Sequence, residues 1–165
     1  MMDANFFKRI FLFQDLDEAP MKDLLGRADS RDFTAGEVVI QEGDPGDSMF
    51  VMVRGEVEIT KRLTLVLDEE TPKERVMIRL KAEDGVTFGE MALLENEARR
   101  ATVTALTDCR LLELGREEFL GYVKEHPQVG VQLMMRLAQL LSRFLRKTNQ
   151  DVVKLTTALA IALGG

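Results

Sequence analysis

The chain has one histidine, His126, and one cysteine, Cys109, in 165 residues. A single cysteine excludes an internal disulfide and fits a reducing compartment. Transition-metal sites built from imidazole and thiolate use several such ligands. His126, beside Pro127, therefore reads as a helix-boundary residue, and Cys109 as a small packed residue of a strand. There is no G-x-x-x-x-G-K-[ST] phosphate loop and no G-x-S-x-G nucleophile turn. Basic charge is also short: 22 Lys and Arg face 28 Asp and Glu, for a net charge of −6. That excludes a general nucleic-acid binder, which needs a basic surface to neutralise phosphates, although a local basic site is still allowed. No apolar run approaches the roughly 20 residues that span a bilayer. The opening "MMDANFFKRIFLFQDLDEAP" is broken by Lys8, Arg9, Gln14 and Asp15 and lacks a signal-peptide core. The closing "LTTALAIALGG" is apolar but too short. Together these absences predict a cytoplasmic protein with no metal, no membrane contact, no nucleic-acid partner and no catalytic constellation.

Apolar residues make up 45% of the chain and charged residues 30%, an ordinary soluble composition with material for a sizeable core. Residues 1–165 read as one domain in three zones. Residues 1–30 are predicted helical: Met21, Leu24, Leu25 and Ala28 fall on one helix face, Asp17 suits an N-cap and Pro20 a first turn. Residues 31–114 read as short strands: "EVVIQ", "SMFVMV", "EVEITKR", "TLVLDE", "ERVMIRL", "ATVTAL" and "CRLLEL", rich in β-branched and aromatic residues. Glycines and "EGDPGD" mark turns between them, and "LDEETPKE" reads as the tip of a long hairpin. Such spacing suggests a barrel or a roll. Residues 115–165 are helical again. Leu133, Leu137, Leu140, Leu141, Phe144 and Leu145 form a wide apolar stripe, and Met134, Leu137, Leu141, Phe144 and Thr148 alternate by three and four, as in a coiled-coil seam that Asp151 interrupts. That seam fits either packing on its own domain or pairing with a second copy through a helix over 128–148.

The segment "FGEMALLENEARRATV", from Phe88 to Val103, carries the one pattern with chemical content. Gly89 allows a tight turn and close approach to a ligand. "EMALLE" is long enough for one helical turn, whose first N–H groups are free to bind an anion. Arg99 can return with a planar fork of donors suited to phosphate, and the Glu90 carboxylate can accept from a sugar hydroxyl. One short segment thus has the parts to hold a phosphate and a ribose. The plainer alternative is a turn whose arginines are simply solvated. "RRAT", Arg99 to Thr102, also resembles a basophilic kinase target, but Thr102 falls in an expected strand.

With these residues in view, the chain resembles the cyclic nucleotide-binding domain family, of the catabolite activator and protein kinase A regulatory subunit type. "FTAGEVVIQEGDPGDSMFVMVRGEVEIT" resembles the family's first half, "FGEMALLENEARRATV" its phosphate-binding cassette over 88–103, and "LGREEFLGYVKEHP" the helix that follows. The resemblance covers about residues 10–148. It implies an α+β fold: an eight-stranded antiparallel, jelly-roll-like β-roll flanked by N-terminal helices and a long C-terminal helix, with no catalysis. It implies a ligand-binding set of Phe88, Gly89, Glu90, Met91, Ala92, Arg99, Arg100, Ala101, Thr148 and Asn149. In that set Glu90 meets the ribose 2′-hydroxyl, the Ala92 N–H reaches the phosphate, and Arg99 pairs with the exocyclic oxygens. Thr148 and Asn149 would contact the purine, Asn149 from a second subunit. Ala98 replaces a common proline. Arg100 replaces a small or hydroxyl residue. The lack of Ser or Thr there leans towards cyclic AMP over cyclic GMP, while Arg100 either crowds the site or anchors the phosphate itself. About 17 residues follow Thr148, too few for a DNA-binding helix-turn-helix. The expectation is a stand-alone regulatory sensor that acts through dimerisation or a downstream protein partner; the alternative is an interaction domain of this fold that no longer binds nucleotide.

Overall fold

The computed structural model describes residues 3–62 and 74–164. Helix α1 (Ala4–Phe7) starts where Asp3 accepts from the Asn5 N–H at 2.9 Å. A 3-10 turn (Phe11–Phe13) and helix α2 (Glu18–Gly26) follow, with Met21, Leu24 and Leu25 buried as the helical periodicity predicts. Asp17 precedes α2 but makes no side-chain cap bond.

Eight strands come next: β1 (Asp29–Phe33), β2 (Val38–Ile40), β3 (Ser48–Arg54), β4 (Glu56–Arg62), β5 (Glu74–Lys81), β6 (Thr87–Phe88), β7 (Thr102–Ala105) and β8 (Cys109–Gly115). They form two four-stranded antiparallel sheets, ordered β1-β8-β3-β6 and β2-β7-β4-β5. This is the expected α+β roll. The expected strand list lacks β1 and β6. In β1, "DSRDF", four of five residues are exposed, so the strand exists through its backbone pairing with β8 and leaves no apolar signature. The expected strand "TLVLDE", and the hairpin tip "LDEETPKE" up to Lys73, lie outside the described residues.

The β3–β8 pair divides the core by the period of two that strands impose. Met49, Val51, Leu112 and Leu114 point to one face and pack with Leu24, Phe119, Tyr122, Leu133 and Leu137 of the helices. Phe50, Met52 and Leu111 point the other way, into the roll, against Val57, Phe88, Val103 and Ala105 of the remaining strands. The Tyr122 hydroxyl crosses the helical layer to donate to the Pro20 carbonyl at 3.0 Å. Truncating a fully buried side chain such as Leu133 to alanine removes about 2–5 kcal/mol.

Helix α3 (Arg116–Glu125) ends at His126, and α4 (Pro127–Gly164) begins at once. The helix expected over 128–148 therefore runs on for 38 residues, through the exposed Asp151. Leu133 and Leu137 bury into the chain's own core, so Leu137 is a packing residue here. Val152, Leu155, Leu159 and Leu163 are exposed. Bidentate bonds from Arg136 to Asp15, both 2.6 Å, tie α4 to the N-terminal segment, where the Arg136 and Arg143 guanidinium carbons lie 4.7 and 3.9 Å from the Phe11 ring centroid. No helix among the described residues is long and apolar enough to cross a membrane.

Candidate functional site

A cavity of about 530 Å³ opens between the roll and α4, within the range of small-ligand sites. One wall is apolar: Ile40, Ile59, Ile78, Leu80 and Val103 from the second sheet. Leu140 and Phe144 of α4 and Ile10, Phe11 and Leu12 of the N-terminal segment also line it. The polar end is built by the segment from Gly85 to Ala101. Gly89, at φ 80°, turns the chain from β6 into a 3-10 turn (Glu90–Leu93), a backbone region that glycine enters without strain.

Glu90 is 95% removed from solvent, at a relative exposure of 5%. Burial raises its pKa above the ordinary carboxylate range. The Thr87 hydroxyl donates to its Oε1 and opposes that shift. Among the described residues no cation pairs with Glu90, so its free acceptor positions suit a neutral donor such as a hydroxyl.

Arg99 sits across from it, half-buried. Its position is set by backbone pairing: its N–H donates to the Asp44 carbonyl at 2.7 Å and its carbonyl accepts from Gly43 N–H at 2.9 Å, beside a Pro45–Ala98 bridge. Ala98 thus lies against the turn that carries "EGDPGD". The guanidinium donates through Nη1 to the Ser48 carbonyl at 2.8 Å and through Nη2 to Ser48 Oγ at 3.1 Å. Burial lowers its pKa, and Asp47 and Glu113 act in the opposite direction from beyond contact. Among the described residues no carboxylate pairs with Arg99 directly. Arg100 differs: it forms an exposed ion pair with Glu97.

Eight of the ten expected ligand residues line this one cavity: Phe88, Gly89, Glu90, Met91, Ala92, Arg99, Arg100 and Ala101. Thr148 and Asn149 do not; both are exposed on α4, a turn beyond Phe144. The Ala92 N–H, expected to reach a phosphate, donates to the Gly89 carbonyl at 3.1 Å in this structure. Thr102 is buried, and its Oγ1 accepts from Glu42 N–H and Gln41 Nε2, which removes it from reach of a kinase. Sequence reasoning missed the apolar wall and Phe144's place in it. Among the described residues no cluster of three His, Cys, Asp or Glu side chains is placed to hold a metal.

A family model described as "Cyclic nucleotide-binding domain" matches residues 30–126, more than half of the chain. The chain belongs to the cyclic nucleotide-binding domain family. Within that family it is 25% identical over 147 residues to the CRP-like cAMP-activated global transcriptional regulator of Mycobacterium tuberculosis, covering 89% of this chain and 60% of that protein. It is 32% identical over 115 residues to the cAMP-dependent protein kinase regulatory subunit of Dictyostelium discoideum, covering 70% of this chain and 34% of that one. Its fold matches the Catabolite Activator Protein of Thermus thermophilus with a TM-score of 0.77 at 27% identity, covering 88% of this chain and 63% of that structure. The chain therefore spans three fifths or less of the length of these two curated relatives.

Proposed function

We propose that the chain is a cyclic AMP sensor without catalytic activity, which takes the nucleotide in the cavity beneath α4 and reports it by a change in the position of α4. The observation that carries this reading is Arg99: a half-buried guanidinium at the polar end of the cavity, fixed by Ser48 and lacking a direct carboxylate partner. A cyclic phosphate brings one negative charge and planar acceptors, which suit that fork. Glu90 then receives the ribose 2′-hydroxyl, and the purine lies along Ile40, Ile59 and Val103, with Phe144 and Leu140 above it. Because α4 supplies part of the lining, an occupant interacts with the helix. It moves the helix only by its differential affinity for two positions. Thr148 and Asn149 follow Phe144 on α4, and in the nucleotide-bound position they contact the base, Asn149 from the second copy of a homodimer paired along 128–148. The absence of Ser or Thr at position 100 favours cyclic AMP over cyclic GMP. Cytoplasmic location and a downstream protein partner complete this reading.

The test is titration of cyclic AMP against Arg99→Ala and Arg100→Ala. Removing one partner of a buried charge pair costs roughly 2–5 kcal/mol, and about 1.4 kcal/mol is tenfold. Arg99→Ala should weaken binding from about 30-fold to several-thousand-fold, and Arg99→Lys should recover only part of that. Arg100→Ala should bind nearly as the parent does. Collapse for Arg100→Ala with full affinity for Arg99→Ala moves the phosphate to Arg100. No binding by the parent chain favours an interaction domain that has lost its nucleotide.

A further inference from the structure

Glu113 lies on β8 opposite Phe50 of β3, and Ser48 is two residues before Phe50, on the same face. That face looks into the roll, where its neighbours Cys109, Leu111 and Phe50 are apolar. Glu113 stands where this face turns polar, opposite the exposed Asp29 of β1. The Glu113 carboxylate is not idle: Oε1 accepts from Ser48 Oγ at 2.8 Å, and Oε2 accepts from Arg31 Nη1 at 3.0 Å. Ser48 is itself buried, and its Oγ also accepts from Arg99 Nη2 at 3.1 Å. An ionised carboxylate is acceptor-only. Glu113 therefore commits the one Ser48 hydroxyl proton to itself, and the oxygen's lone pairs are left for Arg99.

We infer that Glu113 is a positioning residue for the phosphate site: through Ser48 it fixes the Arg99 guanidinium in the orientation that receives the ligand, and Arg31 holds Glu113 in turn. This rests on Arg99 as the phosphate partner. The role is hydrogen-bonded alignment, and it opposes what charge alone would do, since a carboxylate near the cavity repels a phosphate. The two are separable. Glu113→Gln keeps an acceptor for Ser48 and removes the charge; Glu113→Ala removes both.

The experiment is calorimetric titration of the full chain with cyclic AMP for Glu113→Ala, Glu113→Gln, Ser48→Ala and each change combined with Arg99→Ala, with thermal melting as the check on folding. Glu113→Ala and Ser48→Ala should each weaken binding about tenfold to a hundredfold, the order of one hydrogen bond to a charged group. Glu113→Gln should bind as tightly as the parent or more tightly. In the Arg99→Ala background the losses should vanish, because nothing is left to position. Tighter binding by Glu113→Ala, or equal losses with and without Arg99, would overturn the inference; the second result would mark a merely structural role. Parent-like affinity for Glu113→Ala beside a strong Arg99→Ala defect would overturn the relay alone. Parent-like affinity for Arg99→Ala would overturn the phosphate assignment, and the relay with it.

Discussion

Gly46→Ala should weaken cyclic AMP binding although residue 46 contributes no side-chain group to the ligand. Gly46 is buried under the Arg99 side chain, and a Cβ there would lie 2.2 Å from Arg99 Nε and 2.5 Å from Arg99 Cδ. Favourable contact needs roughly 3.5–4.0 Å, so the middle of the arginine must withdraw by about 1 Å or more. That part of the side chain cannot swing aside freely, because its guanidinium is held at 2.8 and 3.1 Å by Ser48. A withdrawal of this size takes at least one of the two bonds past hydrogen-bonding distance. Hydrogen bonds involving a charged group contribute about 1.5–3 kcal/mol, which corresponds to a loss of affinity of about tenfold to a hundredfold. Position 46 is not in the left-handed backbone region, so alanine brings no added backbone strain. Titration calorimetry reads the affinity, and thermal melting reads the overpacking, which costs typically about 1–3 kcal/mol. Unchanged affinity and unchanged melting temperature would refute both the packing of Arg99 on Gly46 and its part in holding the phosphate.

Burial raises the Glu90 pKa, so protons stabilise the free folded chain through this group, and that contribution falls as pH rises through the folded value. Nucleotide that donates to Glu90 selects the ionised form. Cyclic AMP affinity should therefore rise as pH climbs through the raised value, and Glu90→Gln should flatten the profile; a profile unchanged by that substitution would contradict the ribose contact. Asp15 is held low chiefly by its hydrogen bond from Arg136, so its contribution is present above the unfolded carboxylate range and lost as pH falls through the folded value. Asp15→Asn should accordingly melt at lower temperature near neutrality and lose less on acidification. Sedimentation at micromolar concentration should give twice the chain mass; a monomer with and without cyclic AMP would rule out the proposed dimer. Truncation after Gln150 should change solubility or stability if the exposed Val152–Leu163 stripe packs on a second copy, and identical behaviour would point instead to another protein as its partner.

The parts of this molecule that were legible in the sequence are those where local chemistry and burial agree. Strands β3 and β8 combine apolar residues with glycine turns, β3 adding the β-branched Val51 and Val53, and Met21, Leu24 and Leu25 keep the helical period. Strand β1 was invisible because its exposed side chains report solvent, while its existence depends on backbone bonds to β8. Asp151 looked like an interruption of a seam, yet in an exposed helix it costs little, and α4 continues. Gly89, Glu90 and Arg99 stand out in the sequence because a turn residue, an acceptor and a planar cation fall within one short segment, and the structure brings them to one cavity. The apolar wall could not: a side chain that points into a roll has the same periodicity whether it meets another side chain or a cavity. Nor could the Gly46 and Ser48 support of Arg99, which joins residues 51 positions apart in the case of Ser48.

Calorimetric titration of the unmodified chain with cyclic AMP and, separately, cyclic GMP tests the central claim most directly. The account predicts saturable binding of one nucleotide per chain, tighter for cyclic AMP. Binding of neither, or clear preference for cyclic GMP, would contradict it.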